Sequence, residues 1–431
     1  MKAPIFALVD CDNFFVSCER IFRPDLTDHP VVVLSSNDGC AVSRSNEAKK
    51  LGIPMGAPAF KYQELFKQHQ VAKFSANFEL YGNISRRITE LLTTVTPRIE
   101  IYSVDESFLD LSELPIADYA VWGHSVRAAI LQWTGVPVSI GIASSKTLAK
   151  LASNRAKKLP ELGGVLNLIN NPDTDMYLES VAVQDIWGIG RQLAPKLRAE
   201  GIDNALKLSK MYPKLAKQLT GIRGRQTVTE LDGISCFPIT LGSQRPKTIL
   251  RSRTFGEDTN SSHIVESALA SFATTAAFRL RRSGQLAKQI GIFVDTNRFK
   301  PGFRRWTKNM SYRTPIADTG QLINDAVSMF GEIYNTGVAY HRAGVWLQDF
   351  VPDDQLQIDI FGNTNIHEHD TSQKRMQAID SLNERYGKHT VHYATQDLAR
   401  QWQPKRKLCS PRYTTDLNEL PKAKIVHTTN K

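Results

Sequence analysis

The sequence predicts a multidomain protein in which an α/β layer is followed by a separate α+β unit. With 431 residues the chain is far longer than one hydrophobic core usually serves, and at roughly 150 residues per domain about three or four domains are expected. Its first third alternates short apolar strands (Ile5 to Val9, Val31 to Leu34, Ile99 to Val104, Val136 to Ala143) with amphipathic stretches of helical period. Further on, Ile249 to Phe255, Val265 to Arg282, Gln289 to Thr296, a basic hairpin containing Pro-Gly, Leu322 to Tyr334 and Gly344 to Phe350 read in the order βαββαβ.

Between the first strands, Phe78, Tyr81, Ile84, Ile88 and Leu91 recur at three- and four-residue steps and mark one apolar helix face against the sheet. From about Pro172 to Leu241 the pattern becomes short helices with glycine joints, including Trp187-Gly188-Ile189-Gly190 and Gly221-Ile222-Arg223-Gly224. Gly242 to Lys247 is a polar linker, and beyond Val351 regularity fades into a polar tail.

At 41% hydrophobic and 23% charged residues the composition is that of a soluble protein, and no apolar run approaches the roughly 20 residues of a membrane span. Membrane partners are excluded on that ground. Ile5 to Val9 is too short for a signal peptide and is broken at once by Asp10 and Asp12, so it reads as a buried strand. The five cysteines, Cys11, Cys18, Cys40, Cys236 and Cys409, are scattered and form no close pair of the zinc-ligand kind, which fits a reducing cytoplasm. Lys and Arg number 54 against 43 acidic residues, a formal charge of +11 that suits a polyanionic partner.

Asp10 ends one apolar strand, and Asp105 with Glu106 ends another. Neighbours along a strand point to opposite faces, so this pair can converge on Asp10 only if the chain turns there, with Ser107 to Leu111 as the return strand. Three gathered carboxylates repel one another unless cations neutralise them. Hard oxygen donors suit Mg²⁺ shared with a substrate phosphate, and two such ions can drive in-line phosphoryl transfer.

Val9-Asp10-Cys11-Asp12-Asn13-Phe14-Phe15, followed by Tyr102-Ser103-Val104-Asp105-Glu106-Ser107-Phe108, resembles the paired catalytic motifs of the Y family of DNA polymerases. The likeness continues in order to Ser410-Pro411-Arg412-Tyr413-Thr414-Thr415, which is similar to the C-terminal signature of the UmuC type. It implies a right-hand polymerase with a palm (1–20 and 76–171), small fingers (21–75), a helical thumb with a helix-hairpin-helix (172–241), a βαββαβ little finger (248–350) and a C-terminal tail (351–431). By the same likeness Asp10, Asp105 and Glu106 are the catalytic ligands of two Mg²⁺ ions, and the backbone carbonyl of Cys11 is a further metal ligand. Phe15 falls where the family carries an aromatic steric gate, which crowds a ribose 2′-hydroxyl.

Gly39 to Gly52 leads into a basic helix start, and Ser144 to Leu151 opens a serine-capped helix. At about 100° per residue Lys146, Lys150 and Lys157 share one of its faces, with Leu148, Leu151, Ala152 and Leu159 opposite. The resemblance assigns Lys49 and Lys157, then Ser43, to the triphosphate of a dNTP. Where the wider family carries Tyr and Arg, this chain has Asn46 and Lys49, so Lys49 acts as a point charge.

For DNA, Gly188 and Gly190 fit the glycine turn of a helix-hairpin-helix, which approaches phosphates without reading bases. Lys247, Arg251 and Arg253 alternate along a strand and share a face that suits the DNA backbone, with Arg298, Lys300, Arg304 and Arg305 around the hairpin. Gln357-Ile358-Asp359-Ile360-Phe361 resembles the pentapeptide by which bacterial polymerases dock on the sliding clamp. The likeness thus implies error-prone translesion synthesis on primer-template DNA in the SOS response, in the cytoplasm and at the nucleoid, with a processed UmuD dimer and RecA as partners. Two other readings of the same residues are a clamp-tethered, non-catalytic DNA-binding or regulatory protein and a nucleotide cyclase. Retention of all three carboxylates argues against the first, and the basic second half against the second.

Overall fold

A computed structural model describes residues 3–242, 245–355, 366–397 and 399–420, without the side chains of 366–369. The chain divides into two compact units, Met1–Ser35 with Gly39–Gly242 and Leu408–Lys431, and Ser36–Asp38 with Ser243–Lys407. Among the described residues no helix is long and apolar enough to cross a membrane.

The first unit opens with β1 (Phe6–Cys11) and α1 (Phe14–Phe22), then β2 (Val31–Leu34), β3 (Ala41–Arg44), α2 (Asn46–Lys50), α3 (Gln63–Gln68) and β4 (Ala72–Ser75). There follow α4 (Phe78–Val95), β5 (Ile99–Ile101), β6 (Glu106–Asp110), α5 (Tyr119–Thr134), β7 (Val138–Ala143), α6 (Lys146–Lys158) and β8 (Val165–Asn167). The main sheet has the order β5-β6-β1-β7-β8, and a small sheet has the order β3-β2-β4. β1 is central and antiparallel to both neighbours, with Phe6 and Leu8 in a core shared with α6 and Ala7 and Val9 in a core shared with α4 and α5, so both faces are covered, which is why Phe6 to Val9 are all apolar and all buried.

Helix α6 lies very close to β7. A Cβ on Gly141 would meet the backbone of Ser153 at 2.1 Å and of Ala149 at 2.2 Å, so only glycine admits the helix at this depth. That approach brings the side chains along α6 within reach of the strand ends. Helix α4 buries Leu80, Tyr81, Ile84, Ile88 and Leu92, which corrects the face expected from the sequence by one step at each end. Phe78 is the first helical residue after the Asn77 cap and is 60% exposed, and Leu92 rather than Leu91 completes the four-residue ladder.

The same unit continues through α7 (Thr174–Glu179), α8 (Leu193–Ala199), α9 (Ala205–Ser209) and α10 (Pro213–Leu231). Val183, Ile186, Leu197 and Val228 from this stretch share one core with Leu8, Phe108 and Leu148 of the sheet layer. The expected joint at Gly221 lies inside α10, as a break with φ 77°.

In the second unit β9 (Thr248–Thr259), α11 (Ser262–Arg282), β10 (Gln285–Asp295), β11 (Arg305–Ile316), α12 (Thr319–Ile333) and β12 (Tyr340–Pro352) form the βαββαβ order read from the sequence, as an antiparallel sheet β11-β10-β12-β9. Both helices pack on one face, where Ile290, Ile292, Val294, Ala343, Val345 and Leu347 meet Leu269, Ala273, Ala276, Leu322 and Phe330.

Beyond β12 the expected loss of regularity does not hold. The helix α13 (Ile366–Tyr386) follows, held by a two-pronged Arg281–Asp380 ion pair at 2.8 Å, by Arg375–Asp318 at 2.6 Å and by the buried Met376. It is fixed mainly by charge, so its sequence shows little apolar period. The clamp-like pentapeptide, Gln357 to Phe361, lies outside the described residues. At Leu408 the chain rejoins the first unit: the Ser75 amide donates to the Leu408 carbonyl, and the Leu408 amide donates to Ser75 Oγ, both at 2.9 Å.

Candidate active site

Asp10 and Glu106 stand directly opposite each other in the β1–β6 register, with Val9 opposite Ser107. The turn comes earlier than expected, since β5 stops at Ile101 and the chain reverses over Tyr102 to Asp105: the amides of Tyr102 and Ser103 both donate to the Glu106 carbonyl at 3.1 Å, and Glu106 already opens the return strand. Ser103 Oγ ties the turn together, accepting from the Glu106 amide at 3.0 Å and donating to Asp105 Oδ1 at 2.5 Å. The Cys11 amide donates to the Asp105 carbonyl at 2.9 Å, which fixes the turn beside the end of β1. The three carboxylates expected from the sequence therefore come from one end of one strand pair.

Helix α6 sets ammonium groups against Glu100, Glu106, Asp10 and Asp12. Lys146 pairs with Glu100 at 2.5 Å, Lys150 with both Glu106 oxygens at 2.6 and 2.7 Å, and Lys157 with Asp10 at 2.9 Å and Asp12 at 3.3 Å. Lys146 is only 2% exposed, so the lysine face is an ion-pair row rather than a solvated one. Burial pushes the Asp10 carboxyl up to about 6, with Lys157 opposing it and the Glu106 and Asp105 charges adding to it. Burial acts to lower Lys157, but Asp10 and Asp12 outweigh it and hold the ammonium above its ordinary value. The Cys11 thiol is also pushed up by burial.

Among the described residues no group of three or more His, Cys, Asp and Glu side chains is gathered closely enough to close on a metal ion. Like charges separate unless something neutralises them, and lysines supply that neutralisation here. The donor chemistry nevertheless fits a hard divalent cation. Lys157 Nζ lies among Asp10 Oδ1, Asp12 Oδ1 and the Cys11 carbonyl, the last at 3.5 Å, so three oxygens already surround one positive charge.

Just beyond the end of β1, Lys49 Nζ donates to Asn13 Oδ1 at 2.6 Å and to Asn46 Oδ1 at 3.3 Å, and Ser43 Oγ donates to the Asn13 carbonyl at 3.3 Å. Asn13 holds a left-handed φ of 48° between β1 and α1, which turns its carbonyl and amide toward these groups. Burial lowers Lys49, and the neighbouring Lys157 and Arg44 charges add to the effect. Lys49, Lys157 and Ser43 are thus brought to one place. Sequence reasoning missed Asp12, Asn13 and Lys150 as members of this cluster; the signal for Lys150 was its helical phase with Lys157.

Phe15 is half-buried and stacks on Tyr81, with ring centroids 4.5 Å apart and planes 13° apart; Phe78 meets it edge-on at 5.8 Å. At the glycine turn, Gly188 has φ 88°, which demands glycine, while Gly190 is open to solvent and its carbonyl accepts from the first amides of α8. Arg251 and Arg253 share one side of β9, as expected, but it is the side of their register partners Val345 and Ala343, which the helices cover. The basic face read from the sequence is therefore not the open face of the sheet. Arg251 Nε and Nη2 are buried without a hydrogen bond, whereas Arg253 and Lys247 are exposed.

Residues 9–154 match the impB/mucB/samB family, residues 246–360 match that family's C-terminal domain, and residues 373–423 match a domain of unknown function. Protein UmuC of Salmonella typhimurium is 39% identical over 97% of this chain and 100% of its own length, and protein SamB of the same organism is 37% identical over 98% and 100%. DNA polymerase IV of Dehalococcoides mccartyi is 28% identical over 88% of this chain and 94% of its own. Among solved structures, a Y-family DNA polymerase chimera superposes with a TM-score of 0.65 at 22% identity, covering 81% of this chain and 99% of the other.

Proposed function

The chain belongs to the impB/mucB/samB family, the UmuC type of Y-family DNA polymerases, and on that premise we propose that Asp10, Asp105 and Glu106 bind two Mg²⁺ ions for nucleotidyl transfer to a primer 3′-hydroxyl. It is a translesion DNA polymerase, with primer-template DNA and a dNTP as its substrates. Neither the non-catalytic reading nor the cyclase is favoured.

The observation that carries the site assignment is the pairing of Asp10 with Glu106 across one strand pair, with the Asp105 turn hydrogen-bonded to the Cys11 amide. When bound, the ions would activate the primer hydroxyl and neutralise the charge that develops on the triphosphate. Asp10, Asp105, Glu106 and the Cys11 carbonyl would hold them. Lys157 keeps the acidic centre compact without metal and would turn to the triphosphate once the ions take over its carboxylates, while Lys49 would leave its neutral amide partners at little cost. Ser43 holds Asn13 in position beside Lys49. Phe15 bars a 2′-hydroxyl from the sugar site.

By the same kinship we assign residues 1–20 and 76–171 as palm, 21–75 as fingers, 172–241 as thumb and 248–350 as little finger. Gly188 and Gly190 lie against phosphates, and Lys247 and Arg253 against the DNA backbone. Kinship with UmuC supports a processed UmuD dimer, RecA and the sliding clamp as partners, with Gln357 to Phe361 as the clamp contact, in the cytoplasm during the SOS response. Primer extension over an abasic template, with Mg²⁺ and these partners, tests the reading. Asp105→Ala should abolish extension; a variant that extends as well as the wild type would remove the metal assignment.

A further inference from the structure

The C-terminal signature, Ser410 to Tyr413, meets α1 through Glu19 and Phe22. Phe15, Glu19 and Phe22 occupy positions i, i+4 and i+7 of that helix and so form one face. Each is answered from elsewhere in the unit. Phe15 stacks on Tyr81, and the Tyr81 hydroxyl donates to Glu19 Oε1 at 2.6 Å. Ser410 Oγ donates to the same oxygen at 3.1 Å, while Asn77 Nδ2 donates to Ser410 Oγ at 3.0 Å. Tyr413 stacks on Phe22, with centroids 4.4 Å and planes 10° apart.

The chain of contacts has a direction. A phenol ring pinned only by packing can tilt; with its hydroxyl anchored on Glu19 the direction of its axis is fixed, and because a phenolic O–H prefers the ring plane the bond also favours one plane, the surface on which Phe15 lies. Glu19 is fully buried, and its Oε2 has no hydrogen-bond partner, so the orientation of the carboxyl depends on the two hydroxyls that Oε1 accepts. Asn77 serves both ends, since its Oδ1 caps the first turn of α4, the helix that carries Tyr81, while its amide holds Ser410.

We propose that the segment Leu408 to Tyr413 is a strap that positions the sugar gate, with Ser410 and Glu19 as positioning residues acting through Tyr81 on Phe15. This rests on the reading of Phe15 as the gate. It gives this C-terminal segment a role in substrate choice, that of setting how strictly a 2′-hydroxyl is refused.

The test compares dNTP and rNTP incorporation, as the ratio of kcat/KM values, by the full chain with its partners. Phe15→Ala should relax the discrimination strongly. Ser410→Ala should relax it roughly fivefold, the size of one hydrogen bond's net contribution, with dNTP incorporation near wild type. Ser410→Thr, which keeps the hydroxyl, should restore the wild-type ratio. On a Phe15→Ala background Ser410→Ala should add nothing, because its effect passes through the ring that is gone. If Phe15→Ala leaves the ratio unchanged, the gate reading falls and the strap with it. If Phe15→Ala relaxes discrimination but Ser410→Ala only lowers thermal stability, or slows both nucleotides equally, the gate stands and the strap is overturned.

Discussion

Lys157 holds its ammonium 2.9 Å from Asp10 and 3.3 Å from Asp12, so the acidic centre carries its own counter-charge. Removing that charge leaves a half-buried carboxylate without its partner, a change that destabilises. Lys157→Met is therefore expected to lower the unfolding temperature without metal, and Mg²⁺ should recover part of the loss by binding the folded state alone. Incorporation of dNTP should fall by about 10², the typical loss when one preorganised charge contact to a transition state is deleted. Thermal unfolding with and without Mg²⁺, beside single-nucleotide incorporation, checks both; a variant whose stability ignores Mg²⁺ would count against the shared site.

Lys150 grips both oxygens of Glu106, at 2.6 and 2.7 Å, and also lies over the Tyr102 ring at 4.7 Å. The pair should behave as a unit. In a double-mutant cycle of Lys150→Met and Glu106→Gln, denaturant unfolding is expected to give a coupling of roughly 1 kcal/mol, within the range for contacting groups. Strict additivity would mean that the two side chains do not act together.

Burial holds the Glu19 carboxyl above its ordinary value of 4.5, against the opposing hydrogen bonds from Tyr81 and Ser410. An acid with a raised folded-state pKa binds its proton more tightly when folded. Its contribution is therefore fully present below the unfolded value and is lost as the pH rises through the folded one. Glu19→Gln removes the titration while keeping an oxygen acceptor for both hydroxyls. Urea midpoints measured from below pH 4.5 upward should thus fall less steeply in the variant than in the wild type, and parallel profiles would rule the linkage out.

Lys247 and Arg253 are exposed, whereas Arg251 carries buried guanidinium nitrogens on the helix-covered side of β9. A lysine that neutralises a phosphate contributes about 0.9 to the slope of log affinity against log salt. Lys247→Ala and Arg253→Ala should each reduce the slope by about that amount on duplex DNA, and Arg251→Met should leave it unchanged. Fluorescence anisotropy over a salt series distinguishes the three; a loss of slope for Arg251→Met would mean that its guanidinium reaches the backbone.

The carboxylate centre was legible because an acid at the end of an apolar strand is a local signal, and strand alternation forces the turn at Asp105. The βαββαβ order was legible for the same kind of reason, period by period. What escaped was set by distance in the sequence. Lysines of α6 pair with strand ends only because Gly141 lets the helix sink onto β7, and nothing in helical phase alone names Glu106 as the partner of Lys150. The helix α13 carries few apolar residues and is fixed by Arg281 and Asp318 from elsewhere, so periodicity had nothing to detect. Phe78 was assigned to the core because an aromatic at the right spacing looks buried; the Asn77 cap turns it outward instead.

Ser410 closes a hydrogen bond to Asn77 across 333 residues of chain. During synthesis the amino-terminal strands and helices leave the ribosome long before that residue exists, and domains generally begin to fold as they emerge. The seat of Phe15 is then completed late, since Glu19 must wait for its second hydroxyl. A chain cut short before Leu408 would carry the carboxylates of the strand pair without the strap, so that translation past Ser410 becomes a condition for the proposed gate.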